Sequence, residues 1–298
     1  MKLKRTRNVV IGLAGLLAFT GLTACGSSDD AGGGSDDKSL TIPIAAGWDE
    51  DIAVSHLWKY VLEEHGYSVK LPNLDVAPLF VGLADGEADI FFDTWLPNTH
   101  EDYWKQYGDD VIDVKVWYNG KATNHIAVPE YMDIDSIDEL EEVGDEVDWQ
   151  ISGIDAGAGL MRLTKGALKE YGLDEAGYDL KTASTPAMLA ALKKATDNKK
   201  PIVVPLWKPH WAYKAFPVKN LEDPKGAMGE GEEIHLITRK GFDEDHPDIF
   251  EALKNFEMDD DMLADLENTV LQEYEDNPQE GVKAWVKDNQ EYVDGLMD

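Results

Sequence analysis

Apolar positions along the chain follow a helical period in some stretches and short apolar runs in others. In "DIAVSHLWKYVLEEHG" the residues Ile52, Leu57, Trp58, Val61 and Leu62 fall on one side of a 3.6-residue period, which predicts an amphipathic helix ending at Gly66. "SLTIPIA" before it and "YSVKL" after it predict strands. "APLFVGLADG" then predicts a short helix, "ADIFFD" a buried strand, and "NTHEDYWKQYG" a helix capped by Asn98 or Thr99. A second set follows: "NHIAVP", "WQISGI", the helices "GLMRLTKGALKEYG" and "PAMLAALKKATDN", and the strand "PIVVPL". "EEIHLITR" predicts a further strand, and residues 247–298 read as entirely helical. Alternation of strand and helix at this spacing predicts an α/β protein with mostly parallel sheets covered by helices.

Three tryptophans interrupt this pattern. Trp48 follows a glycine and precedes three acids in "AAGWDEDIA", Trp95 stands two residues before a proline in "DTWLPNTH", and Trp207 sits between two prolines in "VVPLWKPHW". Each lies where a predicted strand ends, and in open α/β sheets ligands bind beyond the carboxyl ends of strands. Trp48 and Trp95 belong to the first set of elements and Trp207 to the second, so a cleft between two lobes can bring all three together. The other tryptophans are assigned to packing, Trp58 to the core face of its helix.

The first 24 residues change the picture of where the protein works. Lys2, Lys4, Arg5 and Arg7 precede an apolar run from Val9 to Leu22, the order of a secretory signal, and the run is short for a membrane span. It ends in "LTAC", which resembles a bacterial lipobox, so Cys25 is expected to become the lipidated first residue of the mature chain. Cys25 is the only cysteine, which excludes an intramolecular disulfide, thiol catalysis and a zinc–cysteine site. The stretch "GSSDDAGGGSDDK" cannot bury enough surface to fold and reads as a tether spanning about 20 Å. The expected protein is exported and anchored by its lipid to the outer face of the cytoplasmic membrane.

Charge narrows the partners. The formal net charge is −32, and without the four basic residues of the leading segment it is −36, which argues against nucleic acid. The acids are spread along the chain, as a solvated or salt-adapted surface would have them.

A box of indole faces suits a cation that donates no hydrogen bond, and trimethylammonium is such a cation. Three faces at ~1 to 2 kcal/mol each give roughly 3 to 6 kcal/mol before the cost of association, short of the ~8 kcal/mol that micromolar binding needs. A second group must hold the other end of the ligand. His100, five residues after Trp95, is a candidate anion donor, and Gly153, Gly157 and Gly159 in "SGIDAGAG" allow a backbone to approach a ligand.

Taken in order, "GWDEDIA", "DTWLPNTH", "ISGIDAGAG", "PIVVPLWKPHW" and "EEIHLITRKGF" resemble the substrate-binding proteins of glycine betaine and choline ABC importers over essentially the whole mature chain. The resemblance implies a two-lobed, type II periplasmic-binding-protein-like fold with the ligand cleft between the lobes. Its expected parts are the signal 1–24, the tether 25–38, lobe 1 from 39–120 and 214–298, and lobe 2 from 121–213. It further implies that Trp48, Trp95 and Trp207 form a cage, and that His100 with the backbone of Gly153 and Ile154 holds a carboxylate. Expected partners are a small-molecule ligand, an ABC permease and its ATPase, and the membrane through the anchor, with the protein a monomer and without cofactor or metal.

Choline-selective relatives carry a tyrosine before the strand that here reads "NHIAVP", where this chain has Asn124, and they lack a histidine like His100. Both favour glycine betaine, with choline or carnitine binding and a ligand sensor without transport as alternatives. A hydrolase using Asp89 with Asp93, or Asp49 with Asp51, is the rival outside this class. Residues i and i+4 on a strand stand about 13 Å apart, too far for glycoside chemistry.

Overall fold

The computed structural model describes residues 38–297. The expected signal, Cys25 and most of the tether lie outside the described residues. Among the described residues no helix is long and apolar enough to cross a membrane.

The predicted first strand is broken at Pro43 into Ser39–Thr41 and Ile44–Ala45, which pair in parallel with Ser68–Lys70 and Asn73–Leu74. A three-stranded sheet continues this lobe, with Glu233–Arg239 in the middle between Ile90–Leu96 and Val111–Val116. The two parts are joined where Asp89 N–H donates to the Thr41 carbonyl at 2.8 Å. In the second lobe Thr123–Pro129 is the middle strand between Val204–Lys208 and Val218–Asn220. The parallel pair Gln150–Ser152 and Asp179–Lys181 attaches to it through Ser152 N–H and the Val203 carbonyl at 2.9 Å.

Both middle strands run antiparallel to their neighbours, unlike the mostly parallel sheets predicted. Each follows a segment that crosses between lobes, so the chain enters the sheet from the end opposite to that used by its neighbours. A parallel pair would need a full crossover connection instead. The two crossing segments pair with each other: Ala122 and Glu232 exchange N–H···O bonds at 3.2 and 2.7 Å. Val218–Asn220, which the expected boundary at 214 put in the first lobe, pairs with Thr123–Pro129 in the second.

The helix Asp49–Glu64 buries Ala53, Val54, Leu57, Trp58, Val61 and Leu62 against the strand Ile90–Leu96 and the helix Pro278–Asp288. Trp58 is completely buried, with its ring 5.8 Å from Phe92 and 5.4 Å from Phe256. The C-terminal part is helical in pieces, Pro247–Asn255, Asp260–Glu267, a π-helical turn over Asn268–Glu273, Pro278–Asp288 and Gln290–Asp294. Between the first two, Met258 bridges to Tyr118, a break that helical periodicity did not show.

Candidate functional site

Trp48 is the residue before the helix Asp49–Glu64, reached through Gly47 at φ +79°. A side chain at Gly47 would be strained and would meet Thr185 Cβ at 2.8 Å, so glycine is required for this turn. Trp95 and Trp207 are the penultimate residues of their strands, Ile90–Leu96 and Val204–Lys208, rather than loop residues beyond them. Pro97 and Pro209 follow and cannot donate to a ladder, so pairing stops there. Register sets Trp207 opposite Asn124.

These elements converge on one cavity with about 280 Å³ of empty space. It is lined by Trp48, Trp95 and Trp207 together with Glu50, Thr99, His100, Asn124, Ile154 and Leu160. All three tryptophans are at most 7% exposed. Trp95 Nε1–H donates to Asp93 Oδ1 at 2.6 Å; the two residues are two apart on the strand and share a face.

His100 is completely buried and stacks on Trp48, with centroids 5.4 Å apart and planes at 12°. Trp95 N–H donates to its Nδ1 at 2.9 Å. That bond assigns the proton of the neutral ring to Nε2, which is buried and has no protein partner. Burial, and then the charge of Arg162, push its pKa down to about 3, so the ring is a neutral N–H donor at neutral pH. The helix after it, Glu101–Tyr107, has only seven residues and no side-chain cap. Neither Asn98 nor Thr99 caps it, because Thr99 Oγ1–H is turned toward Glu232. The ring, not a helix terminus, is therefore the donor at this position.

Ile154 reaches the cavity, with its N–H facing only Met161 Sδ at 3.2 Å, a weak acceptor that a carboxylate can replace. Gly153 does not. Its N–H is spent on the Lys181 carbonyl at 2.9 Å, and a side chain there would strike that carbonyl and Met161, so this glycine serves packing.

Sequence reasoning missed Glu50, Thr99 and Leu160 and treated Asn124 only as a departure from a tyrosine. Asn124 Nδ2 donates to Thr99 Oγ1 at 2.7 Å and to Glu232 Oε2 at 2.9 Å. Glu232 also accepts from Asn98 N–H at 2.6 Å and Thr99 N–H at 2.8 Å. A single carboxylate in the crossing segment thus ties the loop after Trp95 to the first strand of the second lobe. No short motif announces it; Glu232 and Asn98 are 134 positions apart.

Beneath the cage lies a set of buried acids. Burial, then Asp93 and Glu267, push the Glu50 carboxyl well above the usual carboxylate range. Trp207 Nε1–H approaches Glu50 closely enough to lower its pKa slightly without reaching hydrogen-bond geometry. Burial raises Asp93 to about 7, Glu267 to about 8 and Asp49 to about 6. Trp211, assigned with the other tryptophans to packing, donates its Nε1–H to Asp49. Asp89, paired with Asp93 in the hydrolase reading, is instead held by Arg239 at 2.7 Å.

Indole faces above acids attract a cation, and the buried Nε2–H of His100 in the same cavity asks for an anion. Residues 38–288 match the family model described as the substrate-binding domain of ABC-type glycine betaine transport systems. The chain belongs to this family. It is 41% identical over 158 residues to the glycine betaine/carnitine transport binding protein GbuC of Listeria monocytogenes serotype 1/2a (strain 10403S), a match covering 52% of this chain and 51% of that protein. The match therefore spans about half the length of that curated relative. Among solved structures, the glycine/betaine/L-proline-binding protein ProX of Borrelia burgdorferi superposes with TM-score 0.82 at 30% identity, over 87% of this chain and 97% of that one. Lactococcal OpuAC, in its closed conformation complexed with glycine betaine, superposes with TM-score 0.79 at 33% identity, over 88% and 100%. The two-lobed binding-protein fold expected of the chain is the fold it has.

Proposed function

We propose that the protein captures glycine betaine between its lobes and delivers it to the permease of an ABC importer. The trimethylammonium group lies against Trp48, Trp95 and Trp207, and the carboxylate accepts from His100 Nε2–H and Ile154 N–H. The observation that carries this reading is the buried, unpartnered Nε2–H of His100 in the same cavity as three indoles. A purely cationic ligand leaves that donor unsatisfied at a cost of about 1–3 kcal/mol, whereas a zwitterion pairs it. Relatives named for glycine betaine support the choice.

In this reading the protein is an exported monomer anchored through Cys25, and its ligand is a compatible solute. Calorimetric titration with glycine betaine, choline and carnitine tests it: betaine should bind most tightly, and stronger binding of choline would reject the assignment.

A further inference from the structure

Glu50 is a wall of the cavity that an indole cage and a carboxylate donor leave unexplained. It is 1% exposed, it faces the ligand space, and its Oε2 has no hydrogen-bond partner. Two further buried acids beside it carry an unpartnered oxygen, Asp93 Oδ2 and Glu267 Oε1. The groups that face Glu50 come from every element around it. Asp49 and Asp51 flank it on its own helix, and the groups that act on it are Asp93 of the strand Ile90–Leu96, Glu267 of the helix Asp260–Glu267 and the indole N–H of Trp207.

Tyr118, bonded to Asp260, feels both Glu50 and Glu267. His210 stands 3.7 Å from Asp49 and stays neutral because it is buried, and Lys214 is the cation that acts on Glu267. A second pocket, with about 640 Å³ of empty space, is lined in part by Glu267, His210, Trp211 and Lys214.

We propose that Glu50 is a proton-exchanging counter-charge: its carboxyl is protonated before capture and gives up its proton when a quaternary ammonium group enters the cage. This rests on the binding reading above and deepens it. Burial beside Asp93 and Glu267 raises the carboxyl pKa and so favours its neutral form. A fixed positive charge across the cavity reverses the balance, since it can donate neither proton nor hydrogen bond and interacts favourably only with the ionised form. The O–H bond of Glu50 breaks, its electron pair stays on the carboxylate, and the proton passes to water. Nothing is oxidised or reduced.

Ligand lowers the pKa of Glu50, so binding releases a proton between the bound and free values, and affinity rises with pH across that window, by at most about tenfold per unit for one proton. Below the bound value and above the free value, affinity is flat. Asp49, Asp93 and Glu267, raised to about 6, 7 and 8, contribute only through differences between the two states.

Titration calorimetry with glycine betaine and with choline, in buffers of different protonation heat between about pH 5 and pH 9, reads affinity and proton release separately. Neither ligand titrates there. The expected result is release on the order of one proton per ligand, with affinity rising over the window. Glu50→Gln, checked for folding by circular dichroism, should abolish the release and flatten the profile. Binding whose heat is the same in every buffer would overturn the proposal without needing any variant, as would release that persists in Glu50→Gln or proton uptake in place of release. Failure of both ligands to bind at any pH would instead reject the binding reading itself.

Discussion

His100 concentrates the chemistry of the site in one ring. Trp95 N–H holds Nδ1 as the acceptor, so Nε2 must carry the proton, and burial keeps the ring neutral. Removing it should cost a charge-assisted hydrogen bond of about 1.5–3 kcal/mol, a loss of roughly 10- to 150-fold in betaine affinity. Choline, which has no carboxylate, should bind His100→Ala within a few-fold of the parent. Calorimetry on the pair distinguishes this from general damage to the cage, which would weaken both ligands alike. The residue type and its closeness to Trp95 were legible along the chain. Its tautomer was not, because that depends on a backbone N–H brought against the ring by the turn from Trp95 to His100.

At the scale of elements, one helix shows what periodicity reads well and another what it cannot. The helix Asp49–Glu64 was legible from its apolar stripe, and Trp58 occupies the core position that stripe assigned. Trp58→Ala should destabilise the protein by about 3–5 kcal/mol in denaturant unfolding while leaving the relative affinities for betaine and choline unchanged.

The helix Gly159–Glu170 was also legible as a helix, but its approach to the other lobe was not. A side chain at Gly159 would come within 1.8 Å of the Thr99 carbonyl, so this helix start and the loop after Trp95 touch backbone to side-chain position. Arg162 Nη2–H donates to the Asn98 carbonyl close by, and Tyr103 O–H donates to the Gly157 carbonyl at 2.9 Å. Gly159→Ala should therefore obstruct closure. Small-angle scattering should show the parent becoming more compact with saturating betaine and the variant compacting less, with affinity reduced at least several-fold. Equal compaction of parent and variant would refute this account of the contact.

Across the whole molecule, the buried titratable groups set opposite limits on stability. His100 and His210 are held down to about 3, and His56 and His125 to about 4, mainly by burial. Their folded values lie below the unfolded value of about 6.5, so the stability they allow is present above that pH and is lost as pH falls toward the folded values. Asp93 and Glu267 are raised to about 7 and 8. The folded state binds their protons more tightly, so their contribution is present below the unfolded value of about 4 and is lost as pH rises through 7 and 8. Melting curves of unliganded protein should then peak near pH 6 and fall on both sides, with Asp93→Asn flattening the alkaline side. A thermal midpoint that stays level up to about pH 9 would contradict the buried neutral acids.

Local sequence determined the helices and most strands, because apolar period, glycine ends and prolines act over a few neighbouring residues. It also placed the three tryptophans at strand ends and His100 beside one of them, since those positions follow from element boundaries. Tertiary structure decided the rest. The two middle strands turned antiparallel because the chain reenters each sheet from the far lobe. Gly153 went to packing because Lys181, distant in sequence, takes its N–H. Glu232 gained its donors from segments more than a hundred residues away, and Glu50 its acidic neighbours Asp93 and Glu267 from a strand and a helix outside its own element. Burial and the fields of distant charges are properties of the assembled fold, so no window along the chain contains them.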